Sequence, residues 1–159
     1  MTTIHLTTFI EAPIDRVFDL SRSIDLHKKS MSHTGEEAIA GTTSGLIEVD
    51  QTVTWKAKHL MKTRFLKSKV TSMNRPFSFT DEQIAGDFKN YRHEHHFKQV
   101  KNGTIVIDFF HFETPYGKAG QVFNKIYLKR YITNLIEQRN HVIKEYAESE
   151  KWKFILNRF

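Results

Sequence analysis

The last third of the chain allows few folds. No proline or glycine falls between Gln121 and the C-terminus. From about Gly117 to Ser149 the sequence predicts one long helix, because Leu128, Tyr131, Ile132, Leu135, Val142, Ile143 and Tyr146 recur at helical spacing on one stripe. A stripe that long needs a long apolar partner. Everything before it reads almost entirely as strands, so the partner must be the concave face of an antiparallel sheet.

The strands are read from alternation. Thr2–Glu11 is the first, and Ala12-Pro13 ends it. Pro13 suits the first turn of a short helix carrying Ile14, Val17 and Phe18, and a second short helix ends near Lys29. Glu36–Ala40 is a short strand, and Gly45 supplies a positive φ in the turn that follows. Thr52–Met61 sets Val53, Trp55, Ala57 and His59 on one face. Lys62-Thr63 is read as a turn. Arg64–Met73 then sets Leu66, Ser68 and Val70 together. Phe77–Ile84, Phe88–Val100 and Thr104–Glu113 complete the set, with Lys101-Asn102-Gly103 as a hairpin turn. The expected fold class is α+β: a curved antiparallel sheet of about six to seven strands around a long C-terminal helix, with two short helices after the first strand. Residues 1–159 read as one domain, 151–159 as an appended tail.

With no cysteine, disulfides and thiolate metal sites are excluded. The N-terminal segment does not have the pattern of a signal peptide, and no apolar run is long enough for a transmembrane helix; a cytoplasmic protein is expected. The net charge is +6, yet the lysines alternate along strands and read as solvated outer faces. No helix-turn-helix, zinc-finger spacing or RNA-binding aromatic motif is present. A nucleic-acid partner and membrane contact are therefore not expected. Thirteen phenylalanines is a high count for this length; it suits a wide core or an apolar cavity wall.

Four stretches carry a resemblance: IEAPIDRVFDLSRSIDLH (10–27), VTWKAKHL (53–60), FTDEQIAGDFKNYRHEHHF (79–97), and ETPYGKAG (113–120) with LKRYITNLIEQRNHVIKEYAE (128–148). Together they span nearly the whole chain. The sequence resembles the START-like (SRPBCC) superfamily, the helix-grip fold of the birch-pollen-allergen type. Its nearest likeness is to the small bacterial branch described as polyketide cyclase-like or cell-division-inhibitor-like. The resemblance implies a hydrophobic cavity between sheet and helix. It does not imply one activity, since one fold hosts many.

The chemistry-bearing residues gather in the strands. Tyr91, His93, His95 and Phe97 share a strand face by their spacing of two. Asp81 shares a face with Phe77 and Phe79, and His59 follows Trp55 inward. Three readings stay open. These groups are buried partners of one another, or they line a cavity and orient a ligand's polar group, or the histidines ligate a metal, His93 and His95 with His59 and Asp81. His-x-His alone is a weak metal signal, and no metal or cofactor is expected. Asp108 sits between apolar neighbours on both faces. Facing inward beside His95 it could form an acid–base pair. Arg139 lies within the helix stripe, either snorkelling to water or turned inward to a carboxylate. Ala119, Val122 and Ile126 fall on the opposite side of the helix. The tail KWKFILNRF (151–159) folds back on the domain, joins a homodimer or touches a membrane surface.

The favoured function is non-catalytic binding of a small, mainly hydrophobic molecule. Trp55, Leu66, Phe79, Tyr91, Phe97, Leu128, Tyr131 and Leu135 are expected to supply walls; His59, Asp81, His93 and His95 orient the polar end. The alternatives are a cyclase or aldol-type enzyme using His95 and Asp108, and an interaction protein with no ligand. No phosphate-binding glycine loop or nucleophile elbow is present.

Overall fold

The computed structural model describes residues 1–115 and 121–158, with side chains from residue 125 onward in the second stretch. The strands are β1 (Thr2–Ile10), β2 (Glu37–Gly41), β3 (Thr52–His59), β4 (Lys62–Asn74), β5 (Ser78–Ala85), β6 (Asn90–Val100) and β7 (Gly103–Glu113). They form one antiparallel sheet in the order β1-β7-β6-β5-β4-β3-β2. The helices are α1 (Ile14–Ser21), α2 (Ile24–Ser30), α3 (Gln121–Ala147) and α4 (Trp152–Leu156).

The order follows from local chemistry. Pro13 lies just before α1, in extended conformation, rather than inside its first turn. Ser23 caps α2 by accepting from the Leu26 amide at 3.1 Å. Gly45 has φ 74°. The β3–β4 turn falls at Leu60–Met61, one pair earlier than expected. Both residues take positive φ, 51° and 67°, without the Asn or Gly that signals such a turn, so the sequence offered no cue. Phe77 lies in the turn before β5 and is exposed, unlike Phe79 and the inward face of that strand.

The α3 stripe is as wide as its partner requires. Ile132, Ile136, Arg139, Asn140, Ile143 and Ala147 are buried, with Leu128, Tyr131, Leu135, Val142 and Tyr146 at its edges. Its C-terminal half closes a core with Ile10, Val17, Phe18, Leu20, Phe79, Phe97 and Val106. Phe18 meets Phe79 and Phe97 edge-on, with centroids 5.6 and 5.3 Å apart. Phe97 therefore belongs to this closed end of the grip. It does not line the cavity, because Phe18 from α1 covers it. The N-terminal half of α3 stands over Tyr91, Phe110, Phe112 and Leu66. There the sheet and helix part. Residues 117–120 of the expected helix, Ala119 among them, and the Val122 side chain lie outside the described residues; Ile126 is exposed.

α4 packs back on the chain. Arg16 sits over the Trp152 ring at 4.1 Å, and Arg158 reaches Asp19 at 2.8 Å. Ile155 and Leu156 touch the core beside α1.

Candidate ligand cavity

A cavity of about 500 Å³ opens between the sheet and the N-terminal half of α3. Trp55, His59, Leu66, Phe79, Asp81, Tyr91, His93 and His95 line it from the sheet; Leu128, Tyr131 and Leu135 line it from α3. Parity explains the sheet side. Alternate residues of β3 (Val53, Trp55, Ala57) and of β6 (Tyr91, His93, His95) are buried, and the residues between them face out. Val53, Val70, Ile24 and Ile47 add apolar wall. Trp55 lies against His27, centroids 4.5 Å apart, and His27 bonds Glu36 at 2.8 Å.

The polar floor is an interlocked cluster. Register places His95 opposite Asp108 on β7 and Phe79 on β5, and His93 opposite Asp81. His93 Nε2 donates to Asp108 Oδ1 at 2.8 Å, and Asn140 Nδ2 donates to Asp108 Oδ2 at 2.7 Å. His95 Nε2 donates to Asp81 Oδ2 at 2.8 Å, and the Tyr91 hydroxyl to Asp81 Oδ1 at 2.9 Å. His95 Nδ1 is buried without a hydrogen bond, 3.3 Å from Asp108 Oδ1. A carboxylate thus faces each nitrogen of that ring. Asp108 is fully buried between apolar strand neighbours and faces inward. Arg139 is also inward: its guanidinium donates to Asn140 Oδ1 and to the Ser21 carbonyl, each at 2.9 Å, and stands 3.9 Å from Asp108. Snorkelling is thereby excluded. Asn140, Ser21 and the buried Arg22 were not legible as site residues; a lone Asn on a helix stripe carries no distinctive signal.

Electrostatics follow from enclosure. Burial alone would raise the Asp81 carboxyl; its bond to His95 and the nearby ring charges outweigh that and hold it at about 2. Asp108 is likewise held well below the ordinary carboxylate range by His93 and His95 against burial. Burial and the charge on His95 push His93 down to about 4 despite Asp108. Burial lowers Arg139 as well, with Asp108 opposing. His93 is therefore neutral near pH 7. Its Nε2 donates to Asp108, so Nδ1 is left as a lone pair, with no partner among the described residues.

At the other end His59 Nδ1 lies 2.7 Å from the Tyr131 hydroxyl, a bond that joins the end of β3 to α3 across the opening. Burial lowers His59. The mouth continues through Leu60, Arg64, Phe65, Asp87, Phe88, Thr114, Pro115 and Tyr127.

Asp81, His93 and His95 each bring one donor atom within 4.8 Å of the others, a group that could hold a metal ion. The histidine rings overlap with centroids 3.8 Å apart and only 32° between planes. Ligands of one ion need ring edges that converge on it, and His59 is engaged at the mouth. As arranged, the cluster fits a hydrogen-bonded floor better than a metal centre.

The chain matches no protein-family model. No curated protein sequence matches it either. Solved structures do. TTHA0849 from Thermus thermophilus is 17% identical over 89% of this chain and 97% of its own, with TM-score 0.69. The ginseng major latex-like protein 151 from Panax ginseng is 12% identical over 93% and 98%, TM-score 0.66. Ara h 8.0201 is 11% identical over 92% and 97%, TM-score 0.65. Likeness over whole chains at such low identity is a likeness of architecture. The chain has the helix-grip fold, the architecture that its sequence resemblance implied.

Proposed function

We propose that the protein binds a small, mainly apolar molecule bearing one or two polar groups, and holds it without chemical change. The observation that carries this reading is the cavity of about 500 Å³, apolar in its walls and polar at one end. Burial of apolar ligand area supplies affinity at roughly 25 cal/mol per Å² before ordering costs. Selectivity comes from the floor. The free His93 Nδ1 accepts, so a ligand hydroxyl or amide N–H is rewarded there and a ligand without one leaves it unpaired.

A general-base role fits the floor less well. His95 has a carboxylate at each nitrogen. His93, held to about 4, is a weak base at neutral pH. The test is native mass spectrometry of freshly purified protein against its denatured mass. An excess of a few hundred daltons lost on denaturation supports the reading. If the masses agree and no apolar fluorescent probe enters the cavity, the binding role is refuted.

A further inference from the structure

Two stretches of this chain contain no acidic residue: 51–80 and 114–136. The first holds the β3–β4 hairpin, the second the first turns of α3. The fold brings the described residues of both to the same end of the molecule, where His59 and Tyr131 bond across the cavity mouth. Exposed basic residues ring that end: Lys58 and Lys62 on the hairpin, Lys125, Lys129 and Arg130 on α3. The acids nearby, Glu36, Asp87 and Glu113, are already paired with His27, Arg64 and Lys89.

Apolar side chains stand among these charges. Met61, at the hairpin apex, is 91% exposed; Tyr127 is 54% and Phe65 53% exposed. Leu60 stands beside Met61 at the apex, and Leu60, Phe65 and Tyr127 line the opening itself. Large apolar groups clustered in water are costly unless something covers them. A cationic ring around aliphatic tips matches an anionic lipid surface: headgroups meet the lysines, and the tips enter the acyl boundary. A nucleic acid would use the charges and flat rings but gains little from Leu60 and Met61.

We propose that the mouth end of the grip is a docking surface for anionic membranes, with the Leu60–Met61 apex as its inserting element. The basic strands serve one end of the molecule rather than acting only as solvated faces, which revises the expectation of no membrane contact. The proposal does not depend on a bound ligand, and its test uses none.

The experiment is flotation of the full chain with vesicles of phosphatidylcholine alone and with phosphatidylglycerol added. Binding is expected only to the anionic vesicles and should weaken in high salt. Leu60→Asn with Met61→Asn should lower it by about tenfold or more, with unchanged thermal unfolding, because Asn tolerates the positive φ at both positions. Lys62→Glu with Lys129→Glu should do the same from the charge side. Equal binding to neutral vesicles, no binding to anionic ones, or full binding by the Asn double variant overturns the proposal. So does a single-stranded RNA that binds through the same lysines and displaces the vesicles. Uptake of an apolar probe without vesicles tests the cavity separately.

Discussion

Asn140 on α3 and Asp108 on β7 meet at 2.7 Å, and this bond ties the helix to the sheet at the floor of the cavity. Asp108 is fully buried, and His93 holds its other oxygen. The carboxylate is therefore paired on both sides, which makes its burial tolerable.

Removing that charge should be costly. Asp108→Asn keeps the shape but leaves the buried Arg139 without its nearby counter-charge, and forces an amide to face Asn140. The expected loss is about 3–5 kcal/mol, measured by urea unfolding. A loss below about 1 kcal/mol would show that the cluster does not anchor the helix.

Acid should loosen the fold in two stages. An ordinary histidine gains its proton near 6.5, but folded His93 gains it only at about 4. Between those values the unfolded chain binds the extra proton, so stability falls as pH drops from 6.5 to 4, by a few kcal/mol. Asp81 adds the second stage: ordinarily 3.8 and about 2 when folded, it costs stability as pH falls from 3.8 towards 2. His93→Gln retains an amide donor for Asp108 but cannot titrate. Its unfolding midpoint should change less between pH 6.5 and 4 than that of the wild type; equal slopes would place the proton uptake elsewhere.

How far the sequence foretold this site depends on periodicity. Period two placed Tyr91, His93 and His95 on one face, and period 3.6 placed Leu128, Tyr131 and Leu135 opposite them. Asp108 has apolar residues on both sides of its strand, so parity could not orient it; only the pairing of β6 with β7 does. Phe97 shows the converse limit. Parity turned it inward correctly, but whether an inward residue meets cavity or core depends on α1, whose Phe18 reaches it from far along the chain. The mouth was hidden for a similar reason, since its charge pattern joins two stretches that meet only in the fold.

Filling the cavity should separate binding from folding. Leu135 lines it from α3 and is only half-buried, so Leu135→Trp has open space ahead of it. The expected result is loss of apolar-probe binding by about tenfold or more, with the change in stability near 1 kcal/mol or less. Retained binding would move the ligand site away from α3. His95→Phe is a poorer test, because it strips a ring that faces two carboxylates.

The tail gives the last prediction. Nine residues make no stable helix alone, yet α4 is held by the Arg16–Trp152 stacking, the Arg158–Asp19 pair, and Ile155 and Leu156 against the core. Asp19 also binds the buried Arg22, which reaches Ile47 and Glu48. The tail therefore supports α1 and the cavity wall beyond it. Ending the chain at Glu150 should lower stability by about 2–4 kcal/mol, seen as an earlier thermal transition, while the size-exclusion profile stays as it was. A truncated chain that melts normally but changes its oligomeric state would mean that the tail serves an interface, and that its packing on α1 contributes little.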